Sequence, residues 1–229
     1  MKRAFVVLAW SAVGCADEVA LPWELDHDRI VAVRATPPSI LAGERAELDA
    51  LIAREGATTS EQVPEAATVV APASLANTLS FDGGRWVVTA PDDAALAAAR
   101  RALELEAGEP VPLQVGVQYG PGQLLAIKTV WLGRAASNPA LTVMTIDGRS
   151  AEAQAEVVVG ARVDVRLAVE VADRDEVNWL TSCGTMHDYD LREAYLRVED
   201  DDRTEGELAV VIRDENGGVA WRVWPIRAQ

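Results

Sequence analysis

Residues 162–171 read RVDVRLAVEV and alternate without a break. Val163, Val165, Leu167, Val169 and Val171 fall on one face, and Arg162, Asp164, Arg166, Ala168 and Glu170 on the other. Successive side chains of an extended chain point to opposite sides, so this pattern predicts a half-buried strand with one face on a core. Leu113, Val115, Val117 and Tyr119 alternate with Gln114, Gly116, Gln118 and Gly120 in the same way. Shorter strand candidates lie at 29–34, 46–53, 86–89, 124–132 and 141–146. Residues 207–213 and 219–224 flank DENGG, whose Asn-Gly-Gly supplies the positive φ angles of a hairpin loop. Many short strands separated by turn signals predict a mainly β chain built as sandwiches.

One segment departs from that pattern. Residues 92–107, DDAALAAARRALELEA, are strong helix formers with acids at the start and Gly108 just beyond. These are helix-end signals, and Leu96, Ala99 and Leu103 give an apolar stripe. The segment reads as a helical crossover, serving as a connection.

A faint repeat organises the rest. Residues 43–52 (GERAELDALI) align with 160–169 (GARVDVRLAV): a glycine, an arginine two positions on, then apolar and acidic positions in register. The copies lie 117 residues apart, near the ~100 residues of an immunoglobulin-sized sandwich. A strand end, a glycine turn and a second strand in succession resemble the start of bacterial immunoglobulin-like domains. The resemblance implies two immunoglobulin-like β-sandwich domains, at 28–134 with the helix as crossover and at 140–229. The small, polar, proline-containing stretch 133–140 (GRAASNPA) then lies between them. Trp179, in EVNWLTS, suits the third strand of the second sandwich, facing its core.

Composition narrows the function. With 36 acidic against 21 basic residues and a net charge of −15, the chain has no basic surface for a phosphate backbone, so no nucleic-acid partner is expected. Residues 1–15, MKRAFVVLAWSAVGC, set a basic Lys2-Arg3 before a ten-residue apolar core and small residues ahead of Cys15. That is the layout of a secretory signal. The ending Ala12-Val13-Gly14-Cys15 resembles a bacterial lipobox, in which the cysteine is acylated and the chain is cut before it. Ala12 stands where leucine is commonest, which keeps ordinary cleavage and a secreted soluble protein as an alternative. The resemblance implies a signal peptide at 1–14 and a bilayer anchor at Cys15 carrying several acyl chains, since one chain alone anchors marginally. Ala16 after the cysteine then favours the Gram-negative outer membrane. Residues 15–27 read as a tether, twelve residues past the cysteine, reaching at most about 40 Å.

The supply of catalytic groups is thin. The histidines are His27, in the tether, and His187. Cys183 and His187 are four apart, but a thiolate–imidazole pair needs proximity and a lowered thiol pKa, and a small buried cysteine is the competing reading. Asp188, Asp190, Asp200 and Asp202 would hold calcium if their two loops met at one end of a sandwich; solvated turns are the alternative. No phosphate-binding loop, dinucleotide fingerprint or nucleophile elbow is present, and no cofactor is implied. Trp221 and Trp224, three apart on one strand, must point to opposite faces, and residues 208–212 (LAVVI) are apolar on both. Either the first domain covers the outer face, or it is an aromatic patch for a partner. The sequence therefore predicts a membrane-anchored envelope protein acting as a non-enzymatic binding, scaffold or assembly subunit, with an envelope protein as partner. An envelope hydrolase or glycan-processing enzyme with an acidic site is the alternative.

Overall fold

The computed structural model describes residues 21–120, 124–141 and 143–229. The signal segment at 1–14 and Cys15 lie outside the described residues. In the N-terminal sandwich, β1 (Arg29–Thr36), β3 (Arg45–Arg54), β7 (Arg85–Thr89) and β6 (Leu79–Asp82) form one sheet in that order. β4 (Ala57–Gln62) pairs with the far end of β3. The facing sheet runs β2 (Ser39–Ile40), β9 (Leu124–Leu132), β8 (Val111–Tyr119), β5 (Ala66–Ala71). In the C-terminal sandwich one sheet runs β11 (Arg149–Ser150), β10 (Met144–Ile146), β13 (Val165–Val169), β16 (Glu193–Arg197), β15 (Thr185–His187). The other runs β12 (Val157–Val159), β18 (Val219–Ala228), β17 (Glu205–Arg213), β14 (Glu176–Thr181).

The two halves repeat one strand order. In each, a short strand runs parallel to the last strand of its sandwich, β2 beside β9 and β12 beside β18. In each, the chain then turns into the second long strand of the opposite sheet, and the sequence repeat at 43 and 160 falls on that turn. This is the immunoglobulin-like arrangement. The turns differ in detail. Gly43 takes the positive φ, 77°, in the first copy, whereas in the second Arg162 takes it, 60°. That left-handed residue donates its N–H to the Val198 carbonyl and ends the alternation early. The strand expected at 162–171 therefore shrinks to Val165–Val169, and Val163 is 58% exposed.

Alternation builds the cores. Ala46, Leu48, Ala50 and Ile52 of β3 meet Leu113, Val115 and Val117 of β8 in the first. Val165, Leu167 and Val169 of β13 meet Leu208, Val210 and Ile212 of β17 in the second, around a wholly buried Trp179. The helix α1 (Asp93–Ala102) is shorter than the expected 92–107. Asp92 caps it by accepting the Ala95 N–H at 2.8 Å, and Leu96 and Ala99 are buried. It stops because Glu104 turns left-handed, φ 57°, while the Leu105 N–H reaches back to the Arg100 carbonyl at 3.0 Å. That closure usually has glycine at the left-handed position. Glu104→Gly is therefore expected to stabilise the chain by about 0.5–1 kcal/mol; a lower melting temperature in the variant would contradict this account of the helix end.

Two segments expected to be loose are tied down. The tether reading of 15–27 does not hold for residues 21–27: the Thr181 N–H donates to the Trp23 carbonyl at 2.8 Å and Leu25 N–H donates to Thr181 at 3.0 Å. Leu25 is buried and Trp23 packs on Tyr189 with ring centroids 5.5 Å apart. Hydrogen bonds to a strand edge and two apolar side chains fix what composition alone leaves free. In the stretch 133–140, Asn138 bridges the two sandwiches, donating to the Ala35 carbonyl at 3.0 Å and accepting the Val219 N–H at 2.9 Å.

Candidate functional site

The second half of β3 and the middle of β17 are buried on both faces. Leu51 and Ala53 of β3, with Val31 and Ala32 of β1, pack against Leu180, Ala209, Val211, Val219 and Trp221 of the second sandwich. Parity explains the layer: 46, 48, 50 and 52 face the first core, so 51 and 53 face outward, and 209 and 211 do the same on β17. Leaving these side chains in water would forfeit about 1.5–3 kcal/mol for a residue the size of Leu51. Polar groups bracket the layer. Arg34 makes a two-pronged pair with Asp49 at 3.0 and 2.6 Å and stacks 3.9 Å from the Trp221 ring centroid. Trp221 Nε1 donates to Glu61 at 2.7 Å, and Glu207 accepts the Thr59 N–H at 2.7 Å.

Trp221 and Trp224 do lie on opposite faces of β18, but neither forms an exposed aromatic patch. Trp224 is in the second core, its Nε1 donating to the Ala151 carbonyl at 3.1 Å. Trp221, 8% exposed, is sealed against the first sandwich. The partner-surface reading of this pair is corrected accordingly: the first sandwich takes the place of the partner.

An open groove of about 740 Å³ runs beside this layer, between β1, β9 and the turn joining β17 to β18. Its apolar side includes Ile30, Val33, Leu125 and Ile127, and its charged end carries Lys128 and Arg213 with Asp214, Glu215 and Glu176. Lys128 sits on an inward position of β9, in phase with buried Val130 and Leu132, and is 8% exposed. Its ammonium leaves the sandwich at the gap beside β1 and donates to the Gly217 carbonyl at 2.6 Å. Burial lowers its pKa to about 8; Arg213 pushes the same way, and Asp214 opposes them. The guanidinium of Arg213 donates to Asn178 at 2.5 Å and to the Val31 carbonyl at 2.8 Å, and burial lowers its pKa as well. Sequence reading missed this site, although a lysine in phase with the buried positions of a strand was there to be noticed.

The other sequence candidates do not converge. Asp188 and Asp190 precede β16, whereas Asp200 and Asp202 follow it. A five-residue strand spans about 16 Å, so the two acidic loops lie at opposite ends of the sandwich and do not build one calcium site. Asp200 pairs with Arg162, and Asp202 accepts the Glu199 N–H at 2.8 Å. Both roles belong to turns. Cys183 is 1% exposed in the second core, its thiol donating to the Arg203 carbonyl at 2.8 Å. Burial, helped by Asp202, pushes its pKa up, the opposite of what a nucleophile requires. His187 lies on the exposed face of β15 and does not pair with it. Among the described residues, Glu24, Asp26 and His27 bring potential metal-binding atoms within 4.8 Å of one another. Glu24 already accepts the Leu21 N–H at 2.8 Å, closing the turn that docks this segment.

No protein-family model matches the chain, and no curated protein is similar to it. Among solved structures, the tandem Ig repeats of Dlar align over 89% of this chain and 98% of theirs, with 11% identity and a TM-score of 0.31. Fibronectin(III)-like modules of Clostridium thermocellum CbhA align over 86% of this chain and 94% of theirs, with 9% identity and a TM-score of 0.27. A nucleoside hydrolase-related protein from Saccharophagus degradans, associated with carbohydrate metabolism, aligns over 42% of this chain and 26% of its own, with 15% identity and a TM-score of 0.33. The chain thus spans about a quarter of that last protein. Superpositions this loose say nothing about activity, and the fold rests on the chain's own strand order: two immunoglobulin-like β-sandwiches, the first with a helical crossover.

Proposed function

We propose that this chain is a lipid-anchored protein of the cell envelope that acts without catalysis, as a binding or scaffold subunit. The anchor reading is supported by the order of residues in 1–15, ending at Cys15. The observation that carries the role is the docking of Trp23 and Leu25 on the second sandwich. Only seven residues separate Cys15 from Trp23, a reach of about 28 Å at full extension. An acylated Cys15 would thus hold a rigid two-sandwich body close to the bilayer. With a net charge of −15, that body is repelled by anionic headgroups, so lipid and not surface charge must retain it.

Cys15→Ser is accordingly expected to move the protein from the membrane pellet to the soluble fraction. An unchanged membrane fraction would remove the anchor. In-cell crosslinking of the tagged wild type against this variant tests the role: a stoichiometric envelope protein partner lost with the anchor supports an assembly subunit.

A further inference from the structure

We propose that the groove beside the inter-sandwich layer binds a free long-chain carboxylate, its head on Lys128 and Arg213 and its chain along Leu125 and Ile127. Three observations meet there. The first is the cation pair. Lys128 is one of only two lysines in the chain, the other being Lys2, and it is buried. Most partnered arginines of the described residues face a carboxylate, as Arg34 does Asp49 and Arg54 does Asp28. Lys128 and Arg213 instead donate only to carbonyl and amide oxygens. An ammonium has three N–H donors, and one goes to Gly217. Both cations line the same end of the groove with no carboxylate bonded to either, so an anion bound there would meet unused N–H donors of Lys128.

The neighbouring acids attract these cations through space, Asp214 acting on Lys128 and Glu176 on Arg213, but none of them hydrogen-bonds either cation. Asp214 uses one carboxylate oxygen to accept the Asn216 and Gly218 N–H groups at 2.8 and 2.7 Å, and Glu215 pairs with Arg174 at 2.9 Å. Glu176 lies at the rim and is exposed.

The second observation is volume. About 740 Å³ is room for a small organic ligand. The third is the continuation of the groove onto an exposed apolar sheet face. Leu125 and Ile127, 71% and 62% exposed, line both the groove and a shallow trough over β5 and β8. Gly116 makes the trough, since a side chain there would begin 3.1 Å from Val70. An anionic head beside an uncharged, elongated apolar track is the chemistry of a fatty acid. This gives the binding role proposed above a ligand, while the anchor and partner experiments stand or fall separately.

Monomeric decanoate, added below its micelle concentration to the intact protein with isotope-labelled lysine, tests the site through the Lys128 resonance. The expected result is saturable binding, with the Lys128 titration midpoint raised from about 8 by a unit or more. Affinity should fall roughly threefold to fourfold per methylene removed, from decanoate to hexanoate. It should fall about tenfold or more for decanol, for Lys128→Met, and for decanoate well above pH 8. Leu125→Asn, at an exposed position, should weaken decanoate more than hexanoate without changing the melting temperature. Equal binding of decanol and decanoate, or full affinity in Lys128→Met, would reduce the site to an apolar patch and overturn the proposal. So would binding to anionic vesicles with none to monomeric decanoate, or no saturable binding at all.

Discussion

Replacing Trp224 by alanine should cost about 3–5 kcal/mol, the range for deleting a large buried aromatic, and should lower the melting temperature of the whole protein. Trp224 is 2% exposed, and the deletion would also orphan the Ala151 carbonyl that it hydrogen-bonds. Replacing Trp221, three residues away, should behave differently. Its ring fills the layer between the sandwiches, with Arg34 stacked on it and Glu61 accepting its N–H. Trp221→Ala leaves both cores intact, so the loss of about 3 kcal/mol should fall on the coupling between them. Calorimetry separates the two outcomes: one transition at lower temperature for Trp224→Ala, and two separated transitions for Trp221→Ala. A single cooperative transition in Trp221→Ala would mean that the coupling between the sandwiches does not rest on Trp221.

Lys128 should make the protein more stable as the solution becomes more alkaline. Its pKa is about 8 when folded against an ordinary 10.5. Between those values the unfolded chain holds more protons, so stability rises with pH, by about 3 kcal/mol across the whole interval. Cys183 and Tyr119 work in the opposite direction. Burial raises both of their pKa values, so the folded chain keeps protons that the unfolded chain releases, and stability falls above about pH 9. The comparison with Lys128→Met removes these shared contributions. The variant should be the more stable form at pH 7, and its advantage should shrink steadily towards pH 10 in denaturant titrations. A difference that stays constant with pH would mean that Lys128 is not held in a desolvated site.

Much of the architecture was legible because period-2 alternation reports one buried face directly. The pattern at 113–119 became β8, and the glycine repeat marked the same turn in both sandwiches. Trp179 reached the core expected of it. Runs apolar on both faces, such as 208–212, signalled a second buried side without identifying what covers it. The covering elements were less visible. β4, ATTSEQ, has no apolar periodicity, yet its Thr59 and Glu61 hold the second sandwich. The short β16 was also missed, and with it the fact that it separates the two acidic loops. The groove depends on contacts between β1, β9 and a turn nearly ninety residues further on, a proximity that no local pattern encodes.

The docking of residues 21–27 also covers a strand edge. β14 is the last strand of its sheet, and an unpaired strand edge is a ladder onto which another molecule can add. Trp23 and Leu25 occupy that ladder at Thr181, and the Tyr189 carbonyl takes the Trp179 N–H at 2.7 Å. In the first sandwich the matching edge strand is β5, AATVVA, uncharged, with only β8 paired to it. There the protection is brevity, six residues stopped between Glu65 and Pro72, a charge and an imino acid that discourage strand addition. One terminal edge is thus shielded by a covering segment and the other by the residues that bound it. Removing the first twenty-seven residues would uncover β14 at Thr181 and leave the second sandwich open to polymerisation through that edge.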